Sequence, residues 1–183
     1  TVESFRFSVP EGLQFVPGQF LRLIFDETDK DNKELNKYLS FSCAPGKGYI
    51  EVTKRLSASI FSGRLGELKV NDQVLINAPL GSCVFRDEYK KIGFLMGGIG
   101  ITPVASMVEY ITEKRLGTDI CHVYSNRTDE DISFKPEFDR WMSKNDALKV
   151  HYVVTGCQPK DKTCIFGTIT KDLIGERMCD LQE

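Results

Sequence analysis

Three glycines within four positions, Gly97, Gly98 and Gly100, follow an apolar run and lead directly into Thr102 and Pro103. These residue types in this order suit anion binding. Glycines let a backbone approach a bulky group without Cβ clashes. Thr suits a helix N-cap, and Pro suits the first helical turn, where its missing N–H costs nothing. The helix N-terminus then offers free N–H groups and partial positive charge. The expected ligand is a phosphate or pyrophosphate held at the C-terminal end of a parallel strand. Taken alone, the same residues also describe a plain strand-to-helix turn.

The elements around this loop fall into two groups. Residues 1–87 read as all-β. Alternation in Val2–Phe7 and Phe20–Phe25, a Pro17-Gly18 turn, an apolar Tyr49–Thr53 stretch and an Asn71-Asp72 turn into Val74–Ile76 predict a small closed antiparallel barrel. Residues 26–36 are polar and charge-rich and read as a solvated loop. Ile60, Phe61, Leu65 and Leu68 sit at helical spacing, which predicts a short helix over 60–68. Residues 88–183 alternate strand and helix: strand 92–96, helix 103–116 with Gly117 as its stop, strand 120–124, helix 136–142, strand 150–154. That alternation predicts a parallel sheet of βαβ units. Phe134, Phe138, Trp141 and Met142 share one helical face and are expected to be core. His122 and His151, the only histidines, lie inside predicted strands and are read as packing residues.

The chain has 183 residues, 41% hydrophobic and 27% charged, with a net charge of −2. That balance offers no general attraction to nucleic acid or an anionic membrane. No apolar run approaches the roughly 20 residues needed to span a bilayer, so no membrane insertion is expected. Thr1 begins without a charged-then-apolar leader and reads as the middle of a strand, so the chain is expected to extend before Thr1. The six cysteines form no C-x-x-C pair, which points away from a zinc or self-contained iron–sulfur site. They are read as reduced, mostly buried thiols of a cytoplasmic protein.

Three segments in this order, Lys37–Pro45, Ser59–Ser62 and Gly97–Pro103, resemble the ferredoxin–NADP reductase family of flavoproteins. The resemblance covers essentially the whole chain. It implies a flavin-binding barrel over 1–87 and an NAD(P)-binding α/β domain over 88–183, with the two cofactors meeting at a crevice between the domains. The family's R-x-Y-S segment, aligned on Ala44-Pro45, places Ser40 near flavin N5 as the catalytic candidate, Leu39 where an aromatic covers the ring, and Lys37 where an Arg pairs with the diphosphate. Tyr38 is next to the covering position but on the opposite strand face. The G-x-x-S phosphate segment becomes Ser59, Ile60, Phe61 and Ser62, with Ser in place of Gly. The nucleotide loop matches completely at Gly97, Gly98, Gly100, Thr102 and Pro103. The next strand tip, Ser125, Asn126 and Arg127, is expected near the adenosine ribose. Arg127 there favours NADPH over NADH, against which Asp129, Glu130 and Asp131 act. Thr155 at the following strand end adds to the nucleotide cleft. The implied cofactors are FAD, with FMN as the alternative, and NADPH or NADH. The implied partner is an electron-acceptor protein such as an iron–sulfur protein. A free-flavin reductase and a non-catalytic nucleotide-binding subunit remain alternatives. The family's terminal Cys-Gly-Pro strand has no counterpart, and Cys179 is not given its role; the resemblance therefore implies that the chain extends beyond Glu183.

Overall fold

A computed structural model describes residues 1–178. Cys179 lies outside the described residues. The chain forms two compact units, one of Thr1–Phe85 with Thr102–Met107, the other of Arg86–Ile101 with the chain from Val108 onward.

The first unit is antiparallel. Strand β1 (Val2–Ser8) pairs with β4 (Tyr49–Arg55), from Val2↔Arg55 to Ser8↔Tyr49. Strand β2 (Phe20–Ile24) lies between β3 (Asn36–Ser40) and β5 (Leu75–Leu80). A bridge between Phe41 and Val52 links the two sheets into the barrel. Strand alternation turns Leu21, Leu23, Phe41, Ile50 and Val52 inward, where they meet Phe61 and Leu65 of helix α1 (Ile60–Gly66). Each of these buried side chains contributes about 1.5–3 kcal/mol. The outward side of β1 and β4 carries a polar ladder. Arg6 pairs with Glu51 at 2.7 Å, Ser42 donates to the same carboxylate at 2.9 Å, and Thr53 bonds Ser42 at 2.8 Å. The loop over 26–36 is organised rather than merely solvated. Asp26 Oδ1 accepts the N–H groups of Thr28 and Asp29, and the buried Asn36 side chain ties Phe25, Asp26 and Asp29 together.

The second unit is a parallel sheet in the order β6 (Lys91–Gly97), β7 (Asp119–Asn126), β8 (Leu148–Val154), β9 (Ile165–Phe166). Both of its faces are covered, as a parallel sheet requires. His122 and Tyr124, wholly buried, meet Phe138 and Trp141 around helix α3 (Lys135–Met142). Val123 and Val153 meet Met178 and half-buried Leu173 and Ile174 from helix α4 (Lys171–Arg177) and the residue after it. The core role expected for Trp141, Phe138 and His122 holds.

Three expectations shift. Helix α2 (Thr102–Lys114) is preceded by a 3-10 turn over Gly98–Ile101, so Thr102 is its first helical residue and Ile101, not Thr102, is the N-cap. It ends before Gly117, because Arg115 itself adopts the left-handed conformation, φ +54°. The thiols are less buried than expected. Among the described cysteines only Cys43 is buried, while Cys83 and Cys157 sit in exposed loops, and none of them is in a disulfide. No described helix is long and apolar enough to cross a membrane.

Candidate functional site

The glycine loop begins where β6 ends. Gly98 has φ +52°, which disfavours any side chain on conformational grounds. There is space at all three glycines. A Cβ at Gly98 would meet nothing within 4 Å, and at Gly97 and Gly100 the nearest atoms, Ser125 O and Met96 Cε, are 3.7 Å away. The buried Tyr124 hydroxyl donates to Gly98 O at 2.8 Å and pins the loop to the sheet. No side chain caps α2. The 3-10 turn runs straight into α2, so the N–H groups without a helical acceptor are those that open that turn at the glycines, and Pro103 has none to offer. An anion is the natural partner for such a terminus.

The tip of β7 is rigid. Thr155 donates its N–H at 3.0 Å and its hydroxyl at 3.2 Å to Asn126 O, and Gly156 N–H donates to Arg127 O at 2.8 Å. A Cβ on Gly156 would come within 2.7 Å of Arg127 O, so this approach needs a glycine. The Asn126 side chain is 5% exposed, and neither its amide nitrogen nor its oxygen has a hydrogen-bond partner among the described residues. Such groups are costly unless something satisfies them. Ser125 is half-buried and Arg127 exposed. The carboxylate of Asp129, expected to oppose a phosphate, is already engaged. It accepts the N–H groups of Lys160 and Asp161 at 2.8 and 3.0 Å, which, Asp161 foremost, lower its pKa. Glu130 pairs with Lys160 at 2.7 Å.

In the first unit the segment Lys37–Ser40 presents a different side chain from the one expected. Leu39, half-buried, packs against the barrel core. Tyr38, on the opposite face, is 62% exposed; its ring stands edge-on to Phe20 at 5.6 Å, with the Arg22 guanidinium 5.5 Å from its centre. The strand period puts Ser40, half-buried, on Tyr38's face. Lys37 is near enough to Lys54 to help lower that ammonium's pKa, although burial is the larger cause. Nothing in the sequence singles out Lys54. Only the pairing of the strands brings it into play.

At Ser59 the backbone is extended, φ −72° and ψ 149°, so Ser serves where the family pattern has Gly. Its hydroxyl accepts Ser62 N–H at 3.2 Å, and the hydroxyls of Ser57, Ser59 and Ser62 lie within 3.0–3.2 Å of one another. Ile60 is exposed, whereas Phe61 is wholly buried in the barrel core and Ser62 is buried. The Phe61 side chain thus anchors the helix in the barrel core.

Residues 94–182 match the family model of the oxidoreductase NAD-binding domain. NADH-cytochrome b5 reductase 1 of Dictyostelium discoideum is 31% identical over 144 residues, covering 77% of this chain and 50% of the relative. The Aspergillus clavatus NADH-cytochrome b5 reductase 1 is 28% identical over 188 residues, covering 97% of this chain and 60% of the relative. The chain thus spans only part of the length of the curated relatives it matches. Among solved structures, the cytochrome b5 reductase domain of Ulva prolifera nitrate reductase superposes with a TM-score of 0.77 at 22% identity, over 96% of this chain and 76% of that one. A ferredoxin NADP+ reductase from Neisseria gonorrhoeae with bound FAD and NADP gives 0.78 at 20% identity, over 96% and 70%. At these identities the structural likeness establishes the barrel plus α/β fold.

Proposed function

The chain belongs to the ferredoxin–NADP reductase-like family of flavoproteins, and on that premise we propose that the intact protein is a flavin-dependent NAD(H) oxidoreductase that passes electrons to a protein acceptor. The observation that carries the nucleotide half is the glycine loop, whose 3-10 turn opens without a side-chain cap and runs into α2, beside a buried Asn126 amide that lacks a partner among the described residues. We assign flavin binding to residues 1–87 and nucleotide binding to residues 88–183.

When bound, FAD supplies hydride acceptance from the nicotinamide and onward release of electrons. This chain's residues bind and orient. Gly97, Gly98, Gly100 and the first turn of α2 receive the pyrophosphate through backbone N–H groups. Asn126 and Thr155 receive the adenosine side. Tyr38 offers the segment's exposed aromatic face to the isoalloxazine, and Ser40 offers a hydroxyl on the same side. The Ser57–Ser59–Ser62 hydroxyls, with the charges of Lys37 and Lys54, suit the flavin phosphates. Hydride transfer needs the reacting atoms within about 3–3.5 Å.

Relatives named for NADH support NADH as a substrate. With Asp129 tied to the loop at 160–161, Arg127 leaves room for the 2′-phosphate of NADPH as well. For the acceptor we propose a one-electron metalloprotein, of haem or iron–sulfur type. Lys37 lacks the bidentate fork of an Arg, which favours a second reading in which flavin is held weakly and used as a substrate. Titrating the intact protein with FAD separates the two. A tightly retained flavin that supports NADH-driven reduction of a haem protein upholds the first; turnover only with excess free flavin upholds the second; no flavin binding overturns both.

A further inference from the structure

Residues 155–164 connect β8 to β9 without a helix. The two strands are parallel neighbours, and Ile165 pairs with Val153. The loop therefore leaves the carboxyl end of the sheet after Val154 and returns at nearly the same level. That end is where open parallel sheets take their ligands. An irregular stretch of this kind moves unless it is tied. One tie is the set of bonds from Thr155 and Gly156 to Asn126 O and Arg127 O. Another is the Asp129 carboxylate, which accepts the Lys160 and Asp161 N–H groups.

The third tie is Lys135. Its ammonium donates to Asp139 Oδ2 at 2.8 Å, pairs with Asp161 Oδ2 at 3.1 Å and lies 4.8 Å from the centre of the Tyr152 ring. The buried Tyr152 donates its hydroxyl to Asp139 Oδ1 at 2.8 Å. Asp161 Oδ1 accepts the N–H and hydroxyl of Thr163 at 2.8 and 2.6 Å, so both oxygens of this carboxylate are engaged. Thr163 foremost, and then Lys135, hold the Asp161 carboxyl down at about 2. Burial lowers the Lys135 pKa, but Asp139 and Asp161 outweigh it, and the net direction is up. Local preference does not explain a lysine at this position. It opens α3, at the positive end of the helix dipole, directly after Phe134 at φ +61°. A residue that breaks the local rule is serving a tertiary need.

We propose, on the reading that Asn126 and Thr155 meet the adenosine side of the dinucleotide, that Lys135 is a positioning residue for that side. It fixes the Asp161 side chain to α3, while the Asp161 N–H is fixed on Asp129. The stretch between Gly156 and Lys160 is thereby held along residues 127–129. Thr155 and Gly156 keep their carbonyl partners, and the tip of β7 that carries the buried Asn126 amide keeps one geometry. Without the ammonium, Asp139 and Asp161 meet as like charges, and the middle of the loop is pushed away from α3.

Lys135→Met in the intact protein keeps an apolar stem against Tyr152 and removes the charge. The probes are 5′-AMP, which carries the adenosine side alone, and reduced nicotinamide mononucleotide, which lacks it. Competition of 5′-AMP against NADH should weaken at least about fivefold, and the KM for NADH should rise with it while kcat holds. Turnover of reduced nicotinamide mononucleotide and affinity for FAD should change less than about twofold. An unchanged inhibition constant for 5′-AMP overturns the proposal. So does equal weakening toward the two mononucleotides, which marks a general loosening. Should that variant fail to fold, Asp161→Asn serves, because it keeps an acceptor for Thr163 and removes the charge that Lys135 meets; the same two results overturn the proposal there. Failure of 5′-AMP to compete with NADH on the unsubstituted protein overturns the adenosine reading of the β7 tip, and the proposal with it.

Discussion

Replacing His122 by Phe should make the fold more resistant to acid. The His122 ring is wholly buried, 5.3 Å from the rings of Tyr124 and Phe138 and 6.1 Å from Phe94, and neither ring nitrogen has a hydrogen-bond partner among the described residues. Burial, then the nearby His151, pushes its pKa from 6.5 down to about 3. Because the folded-state value is depressed, the unfolded chain binds the proton more readily between those two values. The neutral ring's contribution is complete above about pH 6.5 and is lost as pH falls toward 3, at about 1.4 kcal/mol per pH unit. Between about pH 7 and about pH 5 that amounts to about 2 kcal/mol, a large part of a typical domain's 5–15 kcal/mol. Phe fills the same aromatic pocket without a proton to gain. His151, whose pKa is lowered by burial and then by Arg177 and Lys149, is present in both proteins and cancels. Urea titrations at the two pH values should show the unsubstituted protein losing about 2 kcal/mol more than the variant. Equal losses would refute the claim that a neutral, buried His122 sets the acid sensitivity.

Gly98→Ala forces a side chain into φ +52°, a strain of about 1 kcal/mol, and should weaken NADH binding severalfold by fluorescence titration; an unchanged Kd would remove the loop from the nucleotide site. Gly156→Ala places a Cβ about 2.7 Å from Arg127 O and must push the tips of β7 and β8 apart, so NADH affinity should fall while FAD affinity holds; parallel loss of both would point to general unfolding. Arg127→Ala should raise the KM for NADPH more than that for NADH, and equal changes would free Arg127 of any 2′-phosphate role.

Much of this arrangement is readable from residue order. Glycines before Thr-Pro mark the loop, and the strand periods mark both sheets and their cores. What escapes is set by tertiary pairing. Alternation states that Tyr38 and Leu39 face opposite ways, but only the packing of Leu39 onto Leu21, Leu23 and their neighbours decides which is inside. The 3-10 turn that moves the α2 cap to Ile101 follows from the positive φ of Gly98, which a local propensity argument assigns to no particular glycine. The carboxylate at Asp129 reads as free in the chain because Lys160 and Asp161, which occupy it, are some thirty residues away. Asn126 reads as an ordinary polar tip residue, and only its burial without a partner among the described residues marks it out.

Mixing the FAD-loaded intact protein with NADH in the absence of oxygen tests the oxidoreductase reading most directly. The visible flavin absorbance should bleach in a single turnover, with one NADH oxidised per flavin, and return when an oxidised haem protein is added. Flavin that keeps its colour while fluorescence shows NADH bound to the same molecules would contradict it.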